Sequence, residues 1–535
     1  NRLRLLPVTH GMPVLPEDPR IFVPEAGAVC GCGRGACTDA GCDGWWESAT
    51  VKRQNSISVR WKRCDEERKD AMAVSWTAEQ KQVIQVRDRN ILVSAAAGSG
   101  KTAVLVERII QRITDKKQPV DIDRLLVVTF TNAAAAEMRE RIGAAIERTL
   151  SECPDNEHMQ RQLTLIHNAQ ITTIDSFCLY VIRNHFHEIG LEPNFRIADE
   201  GELTLLKEDV IKQVLLTRYE EMSGTFAAFA DGYMQGRSDA GLRQMILSLY
   251  EFSRSYPWPE EWLLSCVQGY RVKDAADLGG AVWMKPLIEN IRAVLAGLSG
   301  QLWEAYRLAT DSDGPEVYAE LLEAEAENYK KLSECDSYLS LYEAVTGMKS
   351  ARLPACRNFS GDPAKRDRVK QLRDDAKEQV KKLVKQYFFC TPEVMTEQLN
   401  RTAPFAEELV GLTEEFAEAF AAEKRRKNIV DFHDLEHFAL EILVDQETKQ
   451  PKKTAEEFRD TFAEIMIDEY QDSNYVQETL LRAVSREERG EHNLFMVGDV
   501  KQSIYRFRLA RPELFMEKYD TYSPDGGEEQ RIDLH

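Results

Sequence analysis

A short loop between an apolar strand and an amphipathic helix constrains this chain more than any other feature. Ile91 to Val93 reads as a buried strand, which stops at the small residues Ala95, Ala96, Ala97, Gly98, Ser99 and Gly100. Lys101-Thr102 then opens a helical pattern that carries through Ile109 and Ile110. Strand, glycine loop and helix with Lys-Thr at the junction make a phosphate-binding loop. Gly98 and Gly100 let backbone N–H groups approach phosphate oxygens, and the helix N-terminus adds a favourable dipole. Lys101 supplies a point charge, and the Thr102 hydroxyl is placed to hold Mg²⁺. The first position of the usual pattern is Ala95 rather than glycine.

Such a loop requires an α/β sheet around it, and the flanking sequence supplies one. Thr77 and Gln80 read as the capping box of a preceding helix. The Gln80 carboxamide could also read adenine, donating to N7 and accepting from N6 together. Arg124 to Thr129 and Gln170 to Ile174 are further strands, followed by helices from Ala133 through Ile146 and after Phe177. Strands alternating with helices indicate a parallel sheet with ligands at the strand C-terminal ends. Roughly 200 to 425 instead carries the 3.6-residue period almost throughout. The basic clusters there, Lys377 to Lys385 and Lys424 to Lys427, read as solvated helix faces or as phosphate-tracking patches. Strand patterns return at Ala463 to Asp468 and Leu494 to Gly498. The expected fold is therefore a P-loop parallel sheet interrupted by a large all-helical insertion. The expected units are 1–71, 72–200 (sheet, first part), 201–425 (helical insertion) and 426–535 (sheet, second part).

The later strands supply what the loop lacks. Asp468 ends one of them and is expected to hold Mg²⁺ together with Thr102, while Glu469 is expected to orient and deprotonate the attacking water. Gln502, at the tip of the next strand, is placed to contact the γ-phosphate. Phe130, Tyr505 and Phe507 also follow strand ends, interleaved with Asn132, Arg506 and Arg508. Aromatic faces for stacking bases, with cations for phosphates, describe a single-strand channel.

These residues resemble the successive motifs of superfamily 1, UvrD/Rep-like helicases: Gln80, Ala95 to Thr102, Thr129-Phe-Thr-Asn132, Asp468-Glu-Tyr-Gln-Asp472 and Gly498 to Arg508. Ser94 to Arg108, Thr172 to Cys178 and Asp431-Phe-x-Asp-Leu435 are similar, more narrowly, to the AddA subunits of AddAB helicase–nucleases. The resemblance covers Met72 to His535. It implies an ATP- and Mg²⁺-dependent 3′→5′ DNA translocase acting in double-strand-break repair beside an AddB-type subunit, with nuclease activity in the parent protein. It assigns Lys101, Thr102, Asp468, Glu469 and Gln502 to ATP and Mg²⁺, and Phe130, Tyr505, Phe507 and Arg508 to single-stranded DNA. Asp175 departs from the histidine of many relatives, so no DNA contact is assigned there. Such proteins continue into a second RecA-like domain whose arginines reach the γ-phosphate, a contribution of about 10³–10⁵ in rate. This chain is accordingly expected to hydrolyse ATP weakly by itself. Two other readings stay open: a UvrD-type repair helicase without nuclease, and a nucleotide-gated DNA-binding module without turnover.

Composition narrows the setting. The net charge of −20 argues against a generally basic nucleic-acid coat but allows a basic channel within an acidic exterior. No apolar run reaches the roughly 18 residues of a membrane span, and most of the 11 cysteines are scattered singly. A cytoplasmic location is expected. Residues 1–71 differ from the rest, being rich in Pro, Gly and Cys. Cys30, Cys32, Cys37 and Cys42 read either as a metal knot or as part of an unfolded extension, with Met72 as an alternative start.

Overall fold

The computed structural model describes residues 76–534 except 97, 116, 234–237, 349–350, 358 and 504–508. The Cys30–Cys42 cluster and the DNA-contact candidates Tyr505, Phe507 and Arg508 lie outside the described residues, as does Ala97.

Six strands carry the site: β1 (Asn90–Ala95), β2 (Leu125–Thr129), β3 (Gln170–Thr173), β6 (Glu464–Ile467), β7 (Leu494–Gly498) and β8 (Glu529–Leu534). Two short ones, β4 (Arg196–Ile197) and β5 (Ile429–Val430), lie between them in sequence. The six form one parallel sheet in the order β3-β2-β6-β7-β1-β8. β2, β6 and β7 are buried at every position, as a parallel sheet covered on both faces requires. β8 is an addition to the strands expected from sequence. Its Glu529 to Leu534 run in register with Asn90 to Ala95.

Alternation along each strand divides two cores. Ile91, Val93, Val127, Met466, Phe495 and Val497 face α1 (Ala78–Gln85), α2 (Lys101–Ile113), α3 (Asn132–Glu152) and α4 (Glu157–Leu165). Leu92, Leu126, Val128, Ile465, Ile467 and Met496 face the other way. There they meet α5 (Ile174–His185) and three late helices, α15 (Phe432–Leu443), α17 (Tyr475–Val484) and α18 (Pro512–Thr521). Another late helix, α16 (Lys453–Thr461), packs on the same side through Phe458.

Two of the boundaries that differ from the sequence expectation are set by caps. Thr173 accepts from the Ser176 backbone N–H, so Ile174 opens α5 instead of ending β3. Thr131 likewise caps Ala134 N–H and starts α3 at Asn132.

Between β4 and β5 the described residues form nine α-helices: α6 (Glu200–Glu221), α7 (Gly224–Tyr233), α8 (Ala240–Ser253), α9 (Pro259–Gln268), α10 (Met284–Thr310), α11 (Ala319–Ser333), α12 (Tyr338–Thr346), α13 (Pro363–Tyr387) and α14 (Pro392–Lys427). β4 and β5 pair in parallel, Arg196 with Ile429 and Ile197 with Val430, so the insertion leaves and returns at one place. It has two cores, one centred on α10 to α13 and one where Phe416 and Phe420 of α14 meet Ile211, Phe226 and Ile246.

Lys424 closes the root of the insertion. Its buried ammonium donates to Asp431 Oδ2 and Asp434 Oδ1, each at 2.7 Å. Burial pushes the Asp431 carboxyl up, but the Lys424 charge and hydrogen bond, with the Asp434 backbone N–H, together hold the group below its ordinary value. Lys424 is thus a structural cation, which removes it from the basic cluster read as a phosphate track. Arg426 in that cluster pairs with Glu423, while Lys381, Lys382 and Lys385 remain on an exposed face of α13.

Candidate functional site

The phosphate loop forms as its glycines require. Gly98 and Gly100 have φ of 82° and 84°, a region that side chains with a Cβ seldom occupy. A Cβ on Gly98 would meet nothing and one on Gly100 would lie 3.6 Å from Gln80 Nε2, so the backbone conformation reserves these positions, not crowding. Ala95 stands where glycine was expected because it is still strand, paired with Leu534 and buried. Gly100 is the N-cap of α2, and no side chain caps that end. The first-turn N–H groups of such a helix form a ready anion site. Ser99 Oγ, also in the loop, is buried with no hydrogen-bond partner. An uncapped helix start and an orphaned buried hydroxyl fit a phosphate.

The carboxylates stand opposite. Asp468 leaves β6 with its N–H bonded to Val128 O at 2.9 Å. Glu469 follows in the left-handed region, φ 52° and ψ 42°, which is costly for a non-glycine residue and typical of functional sites. Burial and the adjacent Glu469 charge push the Asp468 carboxyl up to about 6, against the pull of the Glu469 N–H and of Lys101. Two neighbouring carboxylates with a single ammonium between them leave negative charge for a divalent cation to neutralise. The donor set of Thr102 hydroxyl and Asp468 carboxylate is oxygen only, which suits Mg²⁺.

A closed ring of hydrogen bonds joins the three loops. Lys101 Nζ donates to Glu469 Oε2 at 3.3 Å and to Gln502 Oε1 at 3.0 Å. Gln502 Nε2 donates to Asp499 Oδ2 at 2.9 Å, and the Asp499 N–H donates to Gln471 Oε1 at 2.9 Å. Gln471 Nε2 returns to Glu469 Oε2 at 2.9 Å. Gln471 and Asp499 show no role in the sequence by residue type alone, although both stand in polar runs immediately after strands. Gly498 makes the ring possible, since a Cβ there would overlap Gln471 Oε1 and approach Phe515 Cε2 to 2.9 Å.

Gln80 performs its capping role. Its Oε1 accepts from Thr77 N–H at 3.0 Å, and its Nε2 donates to Ser99 O at 3.0 Å. The carboxamide therefore ties α1 to the phosphate loop, and reading adenine would require it to exchange one of these bonds. Phe130 is half-buried and Asn132 exposed at the C-terminal end of β2, on the same edge of the sheet as the phosphate loop. Sequence reasoning missed Phe432, a large apolar side chain 57% exposed at the first position of α15. One turn on, buried Glu436 accepts from Gln477 Nε2 at 2.6 Å and from Asn474 Nδ2 at 3.3 Å, just beyond the carboxylate loop. Its carboxyl is pushed up to about 7 by burial and by the nearby Asp175 charge.

Known proteins resemble this chain over most of its length. The chain is 49% identical over 467 residues to an ATP-dependent helicase/nuclease subunit of Lachnoclostridium phytofermentans, an alignment covering 86% of this chain and 34% of that protein. It is 44% identical to the protein of the same name from Clostridium botulinum and 46% identical to that from Geobacillus kaustophilus, covering 86% of this chain and 38% of each relative. The chain thus spans between a third and two fifths of the length of these relatives. No helix among the described residues is long and apolar enough to cross a membrane. Residues 76–523 match the family described as the UvrD/REP helicase N-terminal domain, and the chain belongs to that family.

Proposed function

We propose that this chain is the ATP-driven motor portion of a helicase–nuclease subunit that translocates 3′→5′ on DNA during recombinational repair of double-strand breaks. The closed ring through Lys101, Glu469 and Gln502 carries this reading, because it joins a phosphate-loop lysine to a candidate base and a candidate sensor. ATP is the substrate. Thr102 and Asp468 would hold Mg²⁺, which when bound would neutralise charge on the triphosphate. The loop from Ala95 to Gly100 wraps the phosphates with its backbone N–H groups, and Lys101 leaves Glu469 to pair with them. Glu469, released from the ammonium, orients a water toward the γ-phosphorus and takes its proton as the bond to the β–γ bridging oxygen breaks. Gln502 loses its lysine partner at the same time and registers the γ-phosphate. Gln80 abuts the adenine side of the loop.

Single-stranded DNA crosses the C-terminal edge of the sheet, stacking on Phe130, Tyr505 and Phe507 and bonding to Asn132 and Arg508. The relatives are named as subunits of a larger enzyme, which together with the sequence resemblance supports an AddB-type partner. With DNA as the track, the work lies in the cytoplasm. Steady-state ATPase with and without single-stranded DNA tests the reading on the full-length protein with its partner. Strong stimulation by DNA is expected in the parent and loss of turnover in Glu469→Gln. Turnover that ignores DNA would sink the motor reading, and hydrolysis surviving in Glu469→Gln would sink the base assignment.

A further inference from the structure

The return of the chain after the Gln502 loop carries a cation in an unusual setting. Among the described residues no carboxylate lies within ion-pair distance of Arg511, and its Nε is buried without a hydrogen-bond partner. Three aromatic rings surround it instead. The guanidinium carbon lies 5.0 Å from the Phe252 ring centre, 5.3 Å from Tyr256 and 5.4 Å from Tyr475. Nη2 donates to the Tyr256 hydroxyl at 3.1 Å. Tyr256 is itself sandwiched, stacking on Trp262 at 4.5 Å and on Tyr475 at 5.4 Å.

These rings belong to different parts of the molecule. Phe252 lies in the last turn of α8 and Trp262 in α9, both within the helical insertion, with Tyr256 on the turn between them. Tyr475 opens α17, six residues after Glu469. The Arg511 backbone N–H donates to Ser473 O at 2.9 Å, and Ser503 Oγ bonds Asp472 Oδ1 at 3.2 Å. Arg511 is therefore clasped by the insertion through its side chain and by the carboxylate loop through its backbone. A planar cation held by ring faces is bound through orientation, without a directed ion pair. That differs from the Lys424 root, which is locked by two short charge-assisted bonds.

We propose that Arg511 is a positioning residue that couples the helical insertion to the carboxylate loop, so that the placement of the insertion when DNA lies along the sheet edge sets the alignment of Glu469. The proposal rests on the motor reading above. It assigns to Arg511 neither nucleotide nor DNA contact, only the link between them.

The test uses the full-length protein in complex with its partner, comparing the parent with Arg511→Ala, Arg511→Lys and Tyr256→Phe. Arg511→Ala should bind a fluorescent ATP analogue within twofold of the parent and keep its basal ATPase. Its DNA-stimulated kcat should fall at least tenfold with the KM for ATP unchanged. Tyr256→Phe keeps the stack and should retain most stimulation, whereas Arg511→Lys keeps the charge without the planar group and should lose most of it. Full stimulation in Arg511→Ala would overturn the proposal. So would a parallel loss of nucleotide affinity, basal rate and thermal midpoint, which is the mark of a merely structural residue. A parent that hydrolyses ATP without any response to DNA would overturn the motor reading itself.

Discussion

The Lys101 ammonium donates to the Gln502 carboxamide oxygen across 3.0 Å, joining positions 401 residues apart in sequence. Because the same ammonium also meets Glu469, one lysine occupies both the candidate sensor and the candidate base until a phosphate competes for it. Lys101→Ala should remove that competition and the phosphate contact together. A charge-assisted hydrogen bond is worth about 1.5–3 kcal/mol, so nucleotide affinity should weaken about 10- to 100-fold. Titration with a fluorescent ATP analogue measures this, and unchanged affinity would show that the loop does not bind phosphate.

Gly498→Ala should disturb the ring without touching any of its polar groups. The added methyl would overlap Gln471 Oε1 and crowd Phe515, so either Gln471 or α18 has to move. Overpacking of this kind costs about 1–3 kcal/mol. Chemical denaturation should show that loss, and ATPase should fall further than in a control such as Gly232→Ala, where a Cβ meets nothing within 4 Å.

Glu436 predicts a pH dependence of stability. Its carboxyl titrates near 7 in the fold, against an ordinary value of 4.5. Between those values the folded protein holds a proton that the unfolded chain has released, so stability falls as pH rises through the window. The contribution is fully present below about 4.5 and lost above about 7, a difference of about 3 kcal/mol. Glu436→Gln should flatten the change in urea midpoint between pH 5 and pH 8. An unaltered slope would mean that another group carries it.

Lys424→Ala should be among the most damaging single changes in the insertion. It leaves Asp431 and Asp434 facing each other in a buried site, a loss of about 3–5 kcal/mol. Lys381→Ala, on an exposed face, should change stability by less than about 0.5 kcal/mol. Thermal melts of the two variants side by side check the contrast.

The strands and phosphate loop were legible because both depend on local pattern: an apolar run ending in glycines has few other uses. Periodicity also exposed the helical insertion. What sequence could not reveal was pairing. Nothing in Glu529 to Leu534 shows that it lies against β1, and nothing in Lys424-Arg-Arg-Lys427 separates the buried first cation from its exposed neighbours. The ring was half visible. Lys101, Glu469 and Gln502 are recognisable by residue type at strand ends, but Gln471 and Asp499 acquire meaning only through the fold that closes the circuit. Arg511 belongs to no motif recognised in the sequence, and only the rings around it distinguish it.

The strand order has a consequence for how the protein comes into being on the ribosome. β2 meets β3 after a short stretch of synthesis, but among the described residues β1 has only β7 and β8 as sheet neighbours. The strand bearing the phosphate loop must therefore wait for about 400 further residues, which takes about 20–80 s at typical elongation rates. Throughout that time an apolar strand with two open edges persists, while the insertion can complete its own cores from local contacts. Nucleotide binding thus waits until the helical insertion and β7 have been made, and until then β1 is an unpaired apolar strand of the kind a chaperone shields.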